Sequence, residues 1–235
     1  MTNLLIFDWD DTLFPALISD IIIKETSINE NNITFITIII YNLLIIMNKL
    51  KNNINNKLVI LTASRNNWVE ISIINAEKLI YTNRHLINYN LFNKLIIKPQ
   101  TESPYIPELN HILTQKNFIS NFLLDIFNKN IYYVNILEKE LLNSYETFNK
   151  YNSLFYLLLI NKINNVIILG DSIENERYHT IKLIERFSHK IIKFIKFNNS
   201  KNHIDKIHEQ YSFFIHLNNI INFDKSYIFD SFYIN

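Results

Sequence analysis

The chain of 235 residues contains no cysteine, one glycine and four prolines. Without cysteine it has no disulfide framework, no thiolate metal site and no cysteine nucleophile, and it gives no hint of an oxidising compartment. An excess of charge is also missing: 23 Lys and Arg face 22 Asp and Glu, a formal net charge of +1. That balance argues against a broadly basic face, and so against general binding to nucleic acid or to an anionic membrane. A basic n-region and a small-residue cleavage site are absent from the N-terminus, which does not read as a signal peptide. The longest apolar run, 35–47, is interrupted by Thr37 and Asn42 and reads as too short to span a bilayer. The expectation is a soluble, cytoplasmic protein. Ile, Asn and Lys outweigh Ala, Gly and Arg, the usage of an AT-rich genome (protist or viral), so many of the Asn residues read as surface drift.

What the chain does have is core: 48% of its residues are hydrophobic. The length fits a single domain over 1–235, with cap or insert segments at 15–57 and 80–130. Short apolar runs alternate with longer amphipathic stretches, the pattern of βα units around a parallel sheet. Strands are expected at 4–7, 58–61, 131–136, 166–169 and 191–197, with an edge strand at 213–217. Helices are expected at 34–52, 68–79, 108–127, 148–160, 175–187 and 200–210, the second with Trp68, Ile71, Ile74 and Leu79 near helical spacing.

Two of the strands end in acid. LLIFDWDDTLF at 4–14 delivers Asp8 to a strand tip, with Asp10 and Thr12 at alternate positions beyond it. VIILGDS at 166–172 repeats the device with Asp171, and the single glycine, Gly170, stands immediately before that Asp. A glycine kept there suggests close backbone approach. Two carboxylates two residues apart repel unless a cation compensates them, so a divalent metal and a phosphate are the expected occupants. Asp11 points the other way if the strand alternation continues, and reads as a solvated or capping residue. In an open parallel sheet, ligands bind beyond the C-terminal strand ends, where Asp8, Thr62 and Asp171 are all expected.

Asp8-x-Asp10-x-Thr12, a strand-end Thr62 and Gly170-Asp171, in that order, resemble the haloacid-dehalogenase-like (HAD) superfamily of phosphohydrolases. The likeness covers about residues 4–197. FDWDDTLFP, LTASRNNWVEIS and GDSIENER further resemble a HAD-like group of protists, plants and large DNA viruses, whose second motif reads TNA-x-x-GWVE-x-S; here Asn67 replaces its Gly. The resemblance implies a Rossmann-like three-layer α/β/α sandwich with a mostly parallel sheet and small caps.

It also implies a chemistry. Asp8 would attack phosphorus and form an aspartyl-phosphate, and Asp10 would protonate the leaving oxygen and then deprotonate the hydrolytic water. Mg²⁺ would be held by Asp8, the carbonyl of Asp10 and Asp171, supported by an acid four or five residues on: Asn175 at the first spacing is not acidic, Glu176 stands at the second, and Glu174 lies only three residues on. Thr62, with Thr12, would bind phosphate oxygens. The phosphate-neutralising lysine would be Lys150, 21 residues before Asp171 at a helix start, in preference to Lys116, 55 residues before it. Ser172 reads either as a hydrogen-bond donor behind the metal site or as a plain helix N-cap. Glu70 carries no assigned role, and Trp68 reads as a buried helix-face aromatic in preference to one that packs under the site or meets the substrate. The seven histidines show no ligand spacing. The expected substrate is a phosphorylated small molecule or a phosphoprotein. The alternative is a HAD-fold binding or regulatory protein with weakened turnover, suggested by the altered second motif and the acidic spacing after Asp171. Dehalogenases of this fold generally lack the second Asp, so Asp10 speaks against that activity.

Overall fold

The computed structural model describes residues 2–15, 18, 21, 28–98, 108–127, 129–141, 150–171, 177–197 and 202–229. Six parallel strands form one sheet: β1 (Asn3–Phe7), β2 (Asn56–Thr62), β3 (Ile131–Tyr133), β4 (Asn165–Gly170), β5 (Ile191–Lys196) and β6 (Tyr227–Phe229), in the order β3-β2-β1-β4-β5-β6. The helices are α1 (Glu30–Lys51), α2 (Trp68–Thr82), α3 (Tyr89–Leu95), α4 (Leu109–Thr114), α5 (Phe118–Phe127), α6 (Val134–Leu141), α7 (Lys150–Ile160), α8 (Tyr178–Arg186) and α9 (His203–Asn222).

Strand alternation sorts the core into two halves. Leu5, Phe7, Leu58, Ile60, Ile167 and Leu169 face one side, with α1, α2, α5 and α9 packed over them. Leu4, Ile6, Val59, Leu61, Val166 and Ile168 face the other, covered by α6, α7 and α8. Because both faces are covered, the central strands are continuous apolar runs between their end residues, as parallel sheets require. The result is a three-layer, Rossmann-like α/β arrangement.

Several elements depart from the sequence expectation. The strand expected over 131–136 stops at Tyr133, and Val134 opens α6. The segment expected as an edge strand, 213–217, lies inside α9, where Phe213, Phe214 and Leu217 turn toward the core; the sheet edge is β6 instead. The single helix expected over 108–127 is two, α4 and α5, parted near Asn117 at φ 64°. In α2 the buried face is Trp68, as expected, with Val69, Ser72, Ile73, Ala76, Glu77 and Ile80, while Ile71 and Ile74 are exposed. The helix containing the 35–47 run is 22 residues, long and apolar enough to cross a membrane by length and composition, but 83% of its most apolar window is buried within the fold. Asn29 caps α1 by accepting from the Asn32 N–H at 2.9 Å, with Glu30 in its first turn and Lys49 and Lys51 in its last. Within the two segments expected to form caps, α1 and α5 supply walls of the larger core.

Candidate functional site

The chain places β2 on one side of β1 and β4 on the other, so the order in which strands are added reverses between β1 and β4, which run parallel. Crevices at such a point, at the C-terminal strand ends, are the ligand positions of open α/β sheets. Phe7 is level with Ile60 and Leu169, and the Asp8 N–H donates to Leu169 O at 2.8 Å. Asp8 therefore emerges at the level of Gly170, with Thr62 and Asp171 at neighbouring tips.

Lys150, the first residue of α7, places Nζ 2.8 Å from Asp8 Oδ1, and both side chains are nearly buried. Desolvation offsets much of the attraction in an ion pair so little exposed, but breaking it by removing one partner leaves an uncompensated buried charge. Lys116 is exposed, between α4 and α5. Gly170 makes the approach of Lys150 possible. Its φ is not positive, so backbone freedom is not its purpose. It follows Val166 and Ile168 on the sheet face that α7 covers, beside Asp8 on the adjacent strand, and a side chain there would point into the space between α7 and Asp8.

Asp10 is gathered from the other side. The Ser64 hydroxyl donates to Asp10 Oδ2, and the Trp68 indole Nε1–H donates to Oδ1 at 2.8 Å. Burial raises the pKa of Asp10 above the ordinary carboxylate value; the Ser64 and Trp68 hydrogen bonds pull it back, and the charges of Asp8 and Asp11 add to the rise. Thr62 is buried, and its Oγ1 accepts from the Ser64 N–H at 3.1 Å. Thr62, Ser64 and Asp10 are thus one connected group at the β2 tip.

The first two turns of α2 shape this wall. The Trp9 indole donates to Ser72 Oγ at 2.9 Å and stacks on Phe14 at 5.3 Å, fixing the loop that carries Asp10. The Tyr133 hydroxyl donates to Glu70 and accepts from the Val69 N–H at 3.0 Å; burial first, and then Glu70, raise its pKa. Arg65 lies over the Trp68 ring at 5.0 Å. On the α7 side, the His179 ring is 5.6 Å from Tyr151, and its pKa is lowered by burial and then by the charges of Lys182 and Lys150.

Not every expected residue joins. Thr12 is 1% exposed and its hydroxyl has no hydrogen-bond partner among the described residues. Asp11 does not continue the strand: β1 ends at Phe7, and Asp11 adopts φ 56° in the following loop. Asp171 follows β4 and is half-buried. Glu176 lies outside the described residues. Ser64 and Trp68 as partners of Asp10 are additions of the structure; their only sequence signal is their place in the segment following Thr62.

The donor set at the tips is carboxylate and carbonyl oxygen, chemistry that suits Mg²⁺. Among the described residues, however, no three His, Asp or Glu side chains gather closely enough to hold a metal ion, and Lys150 takes the position at Asp8 Oδ1. No family model, no curated protein and no solved structure matches the chain.

Proposed function

We propose that this chain is a phosphohydrolase of the HAD type, acting on a phosphomonoester of a small molecule or a protein. The observation that carries the reading is the strand-end pair of acids with divided partners. Asp8 faces an ammonium at 2.8 Å, and Asp10, two residues on, has its proton affinity raised by burial. In the proposed reaction an Asp8 carboxylate oxygen forms a bond to phosphorus as the P–O ester bond breaks, and Asp10 gives its proton to the departing alkoxide. Asp10 then takes a proton from water, whose oxygen attacks phosphorus. The Asp8–P bond breaks, releasing inorganic phosphate and the free carboxylate. Lys150 offsets the charge of the transferring group, and Thr62 and the backbone N–H groups after it bind its oxygens. Asp8, the Asp10 carbonyl and Asp171, with Glu176, would hold Mg²⁺, which when bound supplies charge neutralisation at the phosphoryl group.

The second reading is a HAD-fold binding or regulatory protein without turnover. It is favoured by Lys150 occupying Asp8 and by the missing three-acid cluster among the described residues. Hydrolysis of para-nitrophenyl phosphate by the full chain, with and without Mg²⁺ and beside Asp8→Asn, separates the two. Metal-dependent turnover lost in Asp8→Asn is the expected result. Equal turnover in both proteins would remove Asp8 from the chemistry, and turnover in neither would favour the binding reading.

A further inference from the structure

The backbone just after Asp10 takes a conformation that side chains other than glycine disfavour. Asp11 has φ 56°, a left-handed setting that costs of order 1 kcal/mol and persists only where the surroundings enforce it. The loop is closed on itself: the Leu13 and Phe14 N–H groups both donate to Trp9 O, at 3.0 and 2.8 Å, and the Asp11 N–H donates to Phe14 O at 2.8 Å. The Asp11 carbonyl accepts a hydrogen bond from the ammonium of Lys206.

Lys206 is 1% exposed. Its Nζ is 2.9 Å from Glu209 Oε2 and 5.1 Å from the centre of the Phe197 ring. An ammonium buried this deeply costs several kcal/mol unless its partners compensate it, and the partners here are one carboxylate, one ring and the Asp11 carbonyl. The element that delivers it is well anchored. Ile207, Phe213, Phe214 and Leu217 of α9 sit in the larger core, and Gln210 Nε2 donates to Ile39 O of α1 at 3.1 Å. Asp10 thus stands between two fixed points, Trp9 bonded to α2 and Asp11 bonded to α9.

We propose that Lys206, paired with Glu209, is a positioning residue: by holding the Asp11 carbonyl it sets the loop that presents the Asp10 carboxyl to Ser64 and Trp68. Its bearing on catalysis rests on the proposed acid–base role of Asp10, whereas the contact itself can be tested without any turnover.

The chain has two tryptophans, hence two indole N–H signals in a ¹⁵N-correlated spectrum. Trp68 donates to Asp10, and Trp9 donates to Ser72. The double variant Lys206→Met/Glu209→Gln removes both buried charges at similar volume, the substitution best tolerated for a buried pair. In the folded variant the Trp68 indole signal is expected to shift and its hydrogen exchange to quicken about tenfold or more, while Trp9 keeps its wild-type rate. An unmoved Trp68 signal overturns the proposal. So does equal acceleration of both indoles, which would mark a general loss of stability. Should the double variant not fold, Lys206→Arg takes its place, since a guanidinium keeps the charge but puts a wide fork where a single ammonium sat. A selective change at Trp68 is again expected, and none would overturn the proposal. A wild-type protein that hydrolyses no phosphomonoester contradicts the phosphatase reading and leaves the indole result standing.

Discussion

At the N-terminal edge of the sheet, Asn3 donates to Asn56 at 2.8 Å and accepts from Asn165 at 2.7 Å, across three strands whose register puts these residues side by side. Asn165 also donates to Ile221 O at the end of α9, where Lys193 Nζ meets the Ile220 and Ile221 carbonyls at 2.8 and 3.0 Å. At the C-terminal edge, by contrast, the side chains at the strand tips are acids. They are compensated from other elements, Asp8 by Lys150 of α7 and Asp10 by Ser64 and Trp68. A neutral amide ladder pairs with itself and fixes register at little electrostatic cost. Burial raises the proton affinity of Asp10, and both acids depend on partners distant in sequence. One edge ties the strands to one another; the other carries the acids of the proposed site.

Substitutions can sharpen or break that contrast. The largest expected effect is at Lys150. Lys150→Met should lower kcat for para-nitrophenyl phosphate about 10²- to 10³-fold, the usual loss when one charge-stabilising group is removed; a change below about threefold would take Lys150 out of the chemistry. At the opposite edge, Asn165→Ala should cost about 1–3 kcal/mol in denaturant unfolding by stranding its amide partners. Its kcat should match wild type, and a parallel loss of activity would undo the division between edges.

Lys193 gives a pH signature. Burial lowers its pKa from 10.5 to about 8, so between those values the folded state binds fewer protons than the unfolded. Stability should therefore rise with pH across that window. Lys193→Met should flatten this rise, as read from melting temperatures at several pH values, and an unchanged slope would contradict the burial argument.

The smallest expected effect is at Asp10. Its pKa is raised from 3.8, so the folded state binds more protons just above that value and stability declines as pH rises through the interval. Asp10→Asn should gain up to about 1 kcal/mol at neutral pH, with the gain fading toward pH 3. A variant less stable than wild type at neutral pH would show that the Asp10 charge is well accommodated.

Much of this architecture can be read from the chain. The apolar runs at β1, β2, β4 and β5 mark strands because both sheet faces are covered, and their termini place Asp8, Thr62 and Asp171 at one edge. Lys150 is legible only through the family resemblance, which implies a lysine at a helix start upstream of β4. Other features depend on packing. Ile131 to Ile136 is β-forming apart from Asn135, yet α6 begins directly after Tyr133. Phe213 to Leu217 reads as a strand, but α1 offers a helical surface for it to cover. Ile71 and Ile74 are exposed because Ser72, Ala76 and Glu77 are the residues with inward partners: Ser72 accepts from Trp9, and Glu77 accepts from the Ile119 and Ser120 N–H groups at the start of α5. The contacts of Asp10 with Ser64 and Trp68 join residues more than fifty positions apart, and no local pattern encodes them.

The central claim is that Asp8 carries the phosphoryl group. The most direct test is to mix the full chain with Mg²⁺ and para-nitrophenyl phosphate, quench in acid within the first turnovers, and map the adduct by mass spectrometry of the peptides. The account predicts a phosphoryl group on Asp8, labile to hydroxylamine and absent from Asp8→Asn. Steady turnover with no adduct on Asp8, or an adduct on another side chain, would contradict it.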